Sequence, residues 1–477
     1  MRCEILTDEQ IDRIHEASLT ILQRVGVHLP HDEMLGRFAD AGAEIDTARQ
    51  RVKIPPELVM SCLDRAGKRF AIHGRDPART AAFGEGRRNY NSVAGEAFFV
   101  DEPGAARRSA TLDDVATASR FGDALEGVTI VGAMADPQEI PVAVRCVEVM
   151  AAQLKHTTKP IHFWYHDRAS AAYINEIMVA VRGDEKRAAE MPLCYPFLEP
   201  ISPLRFPFDG VDLLLETARL NLPVPIGPMA QMGLSAPSTV AAALAQENAE
   251  ILAGVCVTQL IRPGMPVCYG GICHAFDMRT TQLIFAGPEQ AIFGVAMTQM
   301  GKHYALPVYI NVGLTDAKRP DAQAGLEAGT TLMLGAAAGA DIFGHMGISG
   351  VDQASSLDML VFQDEVIGFV ESVLREIDFS DDALGLAEIT SAVAGEGTFI
   401  DREHTVRHYR RELWFPRLLD RQFHDAWLAE GARSTEDRCR QRKEQILAKH
   451  QGEPMDRDVE RAVDDIVAAA RRHLTDP

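Results

Sequence analysis

One histidine in the chain lies between glycines, where a ligand could approach it closely. The stretch ADIFGHMGISG, residues 340–350, begins with alternating small and apolar residues that suit a buried strand and then places His345 between Gly344 and Gly347. Glycine flanks leave room for a ligand or for neighbouring backbone. His345 is therefore a candidate catalytic residue, and the alternative is a histidine of the core.

Aromatic and polar side chains recur at the ends of other strand-like runs. In IHFWYHD, residues 161–167, His162, Trp164 and His166 alternate, so they share one face of an extended segment. The same alternation supplies further candidates, strand by strand: Tyr195, Phe197 and Glu199; Gln231; Tyr269; Tyr309 and Asn311; and Phe343 with His345. Grouped rings attract a quaternary ammonium through their quadrupoles. For any single ring, core packing is the alternative.

Two other chemistries stay open at this stage. In VCYGGICHAF, Cys268 and Cys273 suggest zinc, but their spacing matches no standard zinc pattern and alternation puts them on opposite faces, so we expect no metal site. The loop at residues 344–350 could instead hold a phosphate through its amides, assisted by Lys318 and Arg319. That alternative predicts an enzyme acting on a phosphorylated small molecule.

The scaffold must bring these strand ends together. Strand-like runs alternate with helix-length amphipathic segments, which indicates successive βα units and a parallel sheet. The eight strand candidates are residues 88–95, 128–136, 159–167, 193–202, 223–233, 265–272, 306–313 and 340–347. An eightfold alternation predicts an α/β protein with a TIM-type (β/α)8 barrel, whose active site lies at the C-terminal strand ends.

The flanking segments differ from this alternation. We expect residues 1–88 to form an N-terminal cap of helices and small strands. Residues 89–377 should form the barrel catalytic domain, and residues 378–477 a C-terminal helical extension. The extension is expected to pack on the barrel or on a sister subunit. We therefore expect a homo-oligomer.

The composition narrows the class of partner. The chain has 477 residues with 48 basic and 68 acidic side chains, a formal net charge of −20, which disfavours nucleic acid and anionic membranes. The N-terminus lacks the pattern of a secretory signal, and the eight cysteines have no framework spacing. These features predict a cytoplasmic protein with a small-molecule ligand or a protein partner.

Four segments, in this order, resemble the trimethylamine methyltransferase family. They are LTDEQIDRIHEASLTILQRVGV, PIHFWYHD, NVGLTDAKRPDAQAGLE and AGADIFGHMGISG. The likeness covers nearly the whole chain, and DAKRPDAQAGLE is its most specific part. Within the family the chain is similar to the branch without pyrrolysine, which includes glycine betaine methyltransferases.

The resemblance implies a TIM barrel that moves a methyl group from an amine to the Co(I) of a corrinoid carried by a separate protein, with no cofactor tightly bound to this chain. The pyrrolysine-containing members act on trimethylamine. This sequence has standard residues only, which favours a quaternary amine such as glycine betaine. Its demethylation releases a neutral tertiary amine, so the leaving nitrogen needs no general acid. A family member that binds a betaine without turnover is a further alternative.

The site residues take roles in this interpretation. The cation would lie among Tyr195, Tyr269, Tyr309 and Phe343, with Phe197, Gln231, Trp164 and His166 completing the substrate site. His345 or Asn311 would bind a substrate carboxylate, and Glu199 would supplement the cation site.

Overall fold

The computed structural model describes residues 2–395 and 397–475. The first 88 residues form helices and short strands: α1 (Asp8–Arg24), β1 (Val27–His28), α2 (Asp32–Asp40), β2 (Glu44–Asp46), β3 (Arg51–Lys53), α3 (Pro56–Arg65), β4 (Phe70–His73) and β5 (Thr80–Phe83). Helix α1 begins with a capping box, because Thr7 and Gln10 each accept the other's backbone N–H. Strands β4 and β5 form an antiparallel hairpin.

Strands and helices alternate through the middle of the chain. The strands are β6 (Asn89–Ser92), β7 (Phe98–Phe99), β8 (Arg108–Ser109), β9 (Val131–Gly132), β10 (Ile161–His162), β11 (Val224–Ile226), β12 (Gln231–Met232), β13 (Val267–Gly271), β14 (His274–Asp277), β15 (Gln282–Ile284), β16 (Val308–Asn311), β17 (Ile342–Met346), β18 (Ile348–Ser349) and β19 (Ala354–Ser355). The helices are α4 (Leu112–Ala124), α5 (Val142–His156), α6 (Arg168–Arg182), α7 (Glu185–Glu190), α8 (Phe208–Thr217), a 3-10 turn (Ala218–Leu220), α9 (Val240–Ile261), α10 (Pro288–His303), α11 (Ala322–Ala338) and α12 (Leu357–Val373). The chain is therefore an α/β protein.

The central strands pair in parallel. One sheet has the order β11-β13-β16-β17-β6, and β9 pairs separately with β10. A bridge from Asn91 to Ile130 links β6 to the segment that leads into β9. The last central strand, β17, thus lies beside the first, β6.

The fourth predicted strand differs from the prediction. Residues 193–202 contain no strand, although Leu198 makes one parallel bridge to Ile226 and Leu193 accepts the N–H of Ile161 at 3.0 Å. Pro196 and Pro200 have no N–H to donate, so a continuous ladder cannot form there. The segment lies between its neighbours without regular pairing.

A compact set of side chains fills the space between the central strands and the β4–β5 hairpin. This inner cluster comprises Ile72, Ala81, Phe83, Ile130, Tyr195, Cys268, Ile272, Tyr309 and Ile342. Val308, Ile310 and Val312 belong instead to the larger cluster shared with the helices. A strand residue that belongs to the inner cluster therefore faces inward, away from the helices.

Helix α9 passes through the core of the protein. By length and composition it could span a membrane, yet 83% of its most apolar window is buried inside the protein. It packs against α1 and α3. Its apolar character is accounted for by that packing.

The chain ends in further helices: α13 (Asp381–Leu384), α14 (Leu386–Ala394), α15 (Glu403–Glu412), α16 (His424–Ala429), α17 (Thr435–Lys449) and α18 (Arg457–Thr475). Helix α17 packs on α12, where Lys443 pairs with buried Asp358 at 2.7 Å. Helix α18 packs on α5 and α6, and Arg471 pairs with Glu148 at 2.6 Å. These two helices attach the end of the chain to the outer helices of the fold.

Candidate active site

Six rings gather where β10, the 193–198 segment, β16 and β17 end. This aromatic cluster consists of His162, Trp164, Tyr195, Phe197, Tyr309 and His345, with neighbouring ring centroids 4.9 to 6.4 Å apart. The centroid of the His345 ring lies 6.0 Å from that of His162 and 5.9 Å from that of Trp164. Tyr195 and Tyr309 are fully buried, whereas Trp164 and Phe197 are half-buried. The cluster therefore joins the core to an accessible edge.

Asn91 on β6 orients one histidine of the cluster. Its Nδ2 donates to Nδ1 of His162 at 3.0 Å. With Nδ1 as the acceptor, the neutral ring carries its proton on Nε2. Burial holds the pKa of His162 well below its ordinary value, so the ring stays neutral at physiological pH.

Several polar atoms around the cluster are buried without a hydrogen-bond partner among the described residues. They are Nε2 of His162, Nε2 of His345, the hydroxyl of Tyr195 and Oδ1 of Asn311. Burial lowers the pKa of His345 to about 4, so this ring is neutral as well. Unsatisfied buried polar groups are costly, and a bound ligand would satisfy them.

Two glycines allow the rings to approach the strands. A Cβ at Gly344 would lie 2.1 Å from the Tyr309 hydroxyl and 2.5 Å from Oδ1 of Asn91, and one at Gly227 would lie 2.6 Å from the Phe197 ring. Both positions therefore require glycine. Close approach, within the protein itself, explains the glycine before His345.

Glu199 lies at the accessible edge. The residue as a whole is exposed, but surrounding protein desolvates its carboxyl group and, with the charge of Asp352, raises its pKa to about 7. The pKa of Asp352 is itself raised to about 6, and burial with Asp352 nearby raises the pKa of Glu96 to about 9. The charge of Glu199 also contributes to the raised pKa of Tyr309. A cation at this edge would favour the ionised carboxylates.

Two buried carboxylates of α9 hold the loops around the cluster, and sequence reasoning missed them. Glu247 accepts the N–H groups of Ala230 at 2.9 Å and Ile272 at 3.0 Å. Glu250 accepts the Ser202 hydroxyl at 2.6 Å and the N–H of Leu204. The available signal was the polar run QEN, with a second glutamate after it, inside an otherwise apolar helix. Asn91 was missed too, because its role depends on a strand far from His162 in sequence.

The predicted inward position of Tyr269 is wrong. Its hydroxyl donates to Oδ1 of Asn248 on α9 at 2.8 Å, and its ring lies 6.1 Å from that of Tyr304. The inner cluster contains Cys268 instead, next to Tyr195 and Tyr309. The two buried tyrosine rings leave room for a small thiol there, while the Tyr269 hydroxyl finds a partner among the helices.

The predicted inward position of Phe343 is also wrong. Its ring stacks on Tyr90 at 5.1 Å and belongs to the cluster shared with the helices. Ile342 faces inward instead, and the register of β17 against β6 shifts between Phe343 and Met346. Strict alternation fails at such an irregularity, so His345 joins the aromatic cluster although Phe343 does not.

The other predicted residues lie around the cluster. Asn311 is on β16, two residues after Tyr309 and so on the same face. His166 follows β10, and its Nδ1 lies 3.0 Å from the carbonyl of Val142, with no ring contact to the cluster in the described residues. Gln231 is half-buried on β12, paired with His274. The structure thus brings together Trp164, Tyr195, Phe197, Tyr309 and His345.

Two amides and one side chain of the phosphate alternative already have partners within the fold. The N–H of Gly347 is donated to Gln363 at 2.6 Å and that of Gly350 to Ala317 at 3.0 Å, so these amides are used within the fold. Arg319 pairs with Glu436. In the described ranges, no group of three or more His, Cys, Asp or Glu side chains is arranged to hold a metal ion.

Comparison with known proteins identifies the family. The sequence model described as trimethylamine methyltransferase (MTTB) matches residues 1–475. The chain belongs to the trimethylamine methyltransferase family. As a member of that family it is a methyltransferase.

Relatives in the trimethylamine methyltransferase family match over nearly their whole length. The glycine betaine methyltransferase of Desulfitobacterium hafniense strain Y51 is 29% identical, with 97% of this chain and 96% of the relative covered. The trimethylamine methyltransferase MttB of Methanosarcina thermophila is 28% identical, with 95% of each covered. Among solved structures, the hydroxylamine complex of MtmB is similar at a TM-score of 0.49 and 10% identity, covering 99% of this chain and 94% of that one.

Proposed function

We propose that the protein transfers a methyl group from glycine betaine, or a related betaine, to the Co(I) corrinoid of a separate carrier protein. The observation that carries this proposal is the aromatic cluster, which joins ring faces to neutral hydrogen-bond donors and has Glu199 at its edge. A relative at 29% identity is a glycine betaine methyltransferase. The choice of amine and the corrinoid acceptor are parts of the proposal.

A betaine has two ends, and the cluster offers groups for both. The ring faces of Trp164, Phe197 and Tyr309 suit the trimethylammonium, which has no N–H to donate. The carboxylate needs donors, and the Nε2–H of neutral His162 is one. His345 supplies a second when its proton is on Nε2. Glu199 adds charge attraction to the cation end.

The reaction needs positioning more than proton transfer. One methyl C–N bond breaks, its electron pair stays on nitrogen, and a C–Co bond forms to the acceptor, which supplies a potent nucleophile in its Co(I) state. The product is a neutral tertiary amine, so no proton moves. The neutral rings of His162 and His345 fit this chemistry because neither must act as an acid. The residues of this chain bind the amine, orient one methyl group outward and exclude water.

The proposed scaffold is a (β/α)8 barrel. The parallel pairs β11-β13-β16-β17-β6, the β9–β10 pair and the bridges of Asn91 and Leu198 support closure around the inner cluster. The carrier would then approach the carboxyl ends of the strands, where the aromatic cluster lies.

The cysteines support a location in the reducing cytoplasm. All eight lie in the described residues and are present as free thiols.

A methyl-transfer assay tests the proposal. The protein is mixed with a corrinoid carrier reduced to Co(I), and a panel of quaternary and tertiary amines is supplied in turn. We expect the Co(I) spectrum to change to that of methyl-Co(III) with a betaine and not with trimethylamine. Reaction with trimethylamine alone would contradict the proposed substrate. Betaine binding without any spectral change, across several carriers, would favour a binding protein without turnover.

A further inference from the structure

His274 on β14 is a buried histidine whose ring forms no hydrogen bond. Its side chain is fully buried, and both Nδ1 and Nε2 lack a partner among the described residues. No other histidine in the described part of the chain has both ring nitrogens buried and unpartnered. A neutral imidazole carries one donor and one acceptor, and burying them unpaired is costly. The ring is therefore suited to a partner that comes from outside the chain.

The segment that leads to His274 directs its side chain toward the interior of the fold. Strand β13 lies beside β16, and its last residue, Gly271, pairs with Ile310. The next residue, Ile272, belongs to the inner cluster, whereas Cys273 belongs to the cluster shared with the helices. His274 continues this alternation, so its ring is on the same side as Ile272. That side also holds Tyr195 and Tyr309 of the aromatic cluster.

Two other rings describe the surroundings of His274. Its imidazole stacks on Phe285, with the ring centroids 4.8 Å apart and the planes inclined by 16°. Burial lowers the pKa of His274 to about 3, and the nearby His345 acts in the same direction. The carbonyl of Ile284 acts in the opposite direction, although His274 forms no hydrogen bond to it. The ring is thus neutral, near His345 and held flat against a phenylalanine.

Glu247 of α9 fixes the backbone on which His274 lies. Its carboxylate accepts the N–H of Ile272, which comes two residues before His274, and that of Ala230. The carbonyl of Ala230 in turn accepts the N–H of His274 at 2.9 Å. Beyond His274, β14 pairs with β15 as an antiparallel hairpin. These bonds hold the ring in place before any ligand arrives, which reduces the ordering cost of binding.

We propose that His274 binds the carboxylate of the betaine, with a ring N–H as the donor. The inference rests on the proposed function, because it names a further residue of the same site. The half-buried rings of Trp164 and Phe197 take the trimethylammonium at the accessible edge, and the carboxylate points inward to His274 and His345. A betaine has no net charge, so neutral buried donors can hold its inner end without a buried cation of the protein.

Isothermal titration calorimetry with two cations tests the role of His274. Glycine betaine carries a carboxylate, whereas tetramethylammonium presents similar methyl groups without one. His274→Phe keeps an aromatic ring against Phe285 and removes both nitrogens. We expect this variant to bind glycine betaine about tenfold or more weakly, with its affinity for tetramethylammonium within about twofold of the wild type. If His274→Phe does not fold, His274→Met is measured in its place with the same two expectations.

His31→Phe is the matched control. His31 is also buried and stacked on a phenylalanine, Phe208, at 5.1 Å, but its Nε2 bonds to Asp212. This variant should lose thermal stability and keep its affinity for both cations. An equal loss for both cations in His274→Phe, or no loss for glycine betaine, overturns the inference and leaves the proposed function standing. A wild-type protein that does not bind glycine betaine contradicts the proposed function itself, and the inference with it.

Discussion

Asn91 and His162 are joined by a hydrogen bond of 3.0 Å from Nδ2 to Nδ1, which passes between β6 and β10 across the intervening strand β9. The bond fixes the orientation of the His162 ring. Nε2 is then directed to the side of the aromatic cluster where buried polar atoms have no hydrogen-bond partner among the described residues. Any role of His162 as a donor therefore depends on Asn91.

Asn91→Leu should weaken binding of glycine betaine about tenfold, because the His162 donor loses its orientation and one hydrogen bond is worth about 1 kcal/mol or somewhat more. Isothermal titration calorimetry measures this. Asn175→Leu is the control, since Asn175 is also buried but bonds to Glu216 on another helix. Equal loss of affinity in both variants would show that the effect is general destabilisation.

Tyr309 and Phe343 lie on adjacent strands but face opposite sides, which makes them a matched pair. Tyr309→Leu should weaken betaine binding about tenfold or more, since a desolvated cation–π contact is worth about 2 kcal/mol. Tyr309→Phe keeps the ring and should bind nearly as the wild type does. Phe343→Leu should lower thermal stability with little effect on affinity, and a large loss of affinity there would restore the inward position predicted from the sequence.

The pH dependence of binding should follow the carboxylates. The pKa of Glu199 is raised to about 7, so the group is mostly neutral below that value and ionised above it. Affinity for a quaternary amine, which does not titrate, should therefore rise several-fold between about pH 6 and pH 8. Asp352, with a pKa raised to about 6, contributes in the same direction at lower pH.

Glu199→Gln should flatten most of this profile and lower affinity at high pH. His345 and His162 stay neutral across the same range, because burial lowers the pKa of both. A strong titration near the ordinary histidine pKa that persists in Glu199→Gln would show that one of these rings is charged, contrary to the structure.

Gly344→Ala should damage the site directly. The new Cβ would lie 2.1 Å from the Tyr309 hydroxyl, so the ring must move and both stability and betaine affinity should fall. In contrast, a Cβ at Gly329 in α11 meets nothing within 4 Å, and Gly329→Ala should stabilise the helix by about 0.5 to 1 kcal/mol. Thermal unfolding and calorimetry of the two variants make the comparison. Normal affinity in Gly344→Ala would remove Tyr309 from the site.

Much of the architecture was accessible from sequence because its signals are local. Hydrophobic periodicity predicted the alternation of strands and helices, and the capping box of α1 involves residues only three positions apart, Thr7 and Gln10. Alternation within a strand also predicted that Tyr309 and Asn311 share a face. Where prolines interrupt the pattern, at residues 193–202, the predicted strand did not form.

The sequence by itself determined the family, the α/β alternation and the residue types available to the site. Tertiary structure decided which of them meet. Which alternate residues of a strand face the interior depends on the neighbouring strands, so Cys268 rather than Tyr269 faces inward. A register shift in β17 likewise separates His345 from Phe343. The contact of Asn91 with His162 joins residues 71 positions apart and exists only once β6 and β10 are assembled on either side of β9. Local periodicity cannot encode such contacts, because they arise from packing among segments distant in the chain.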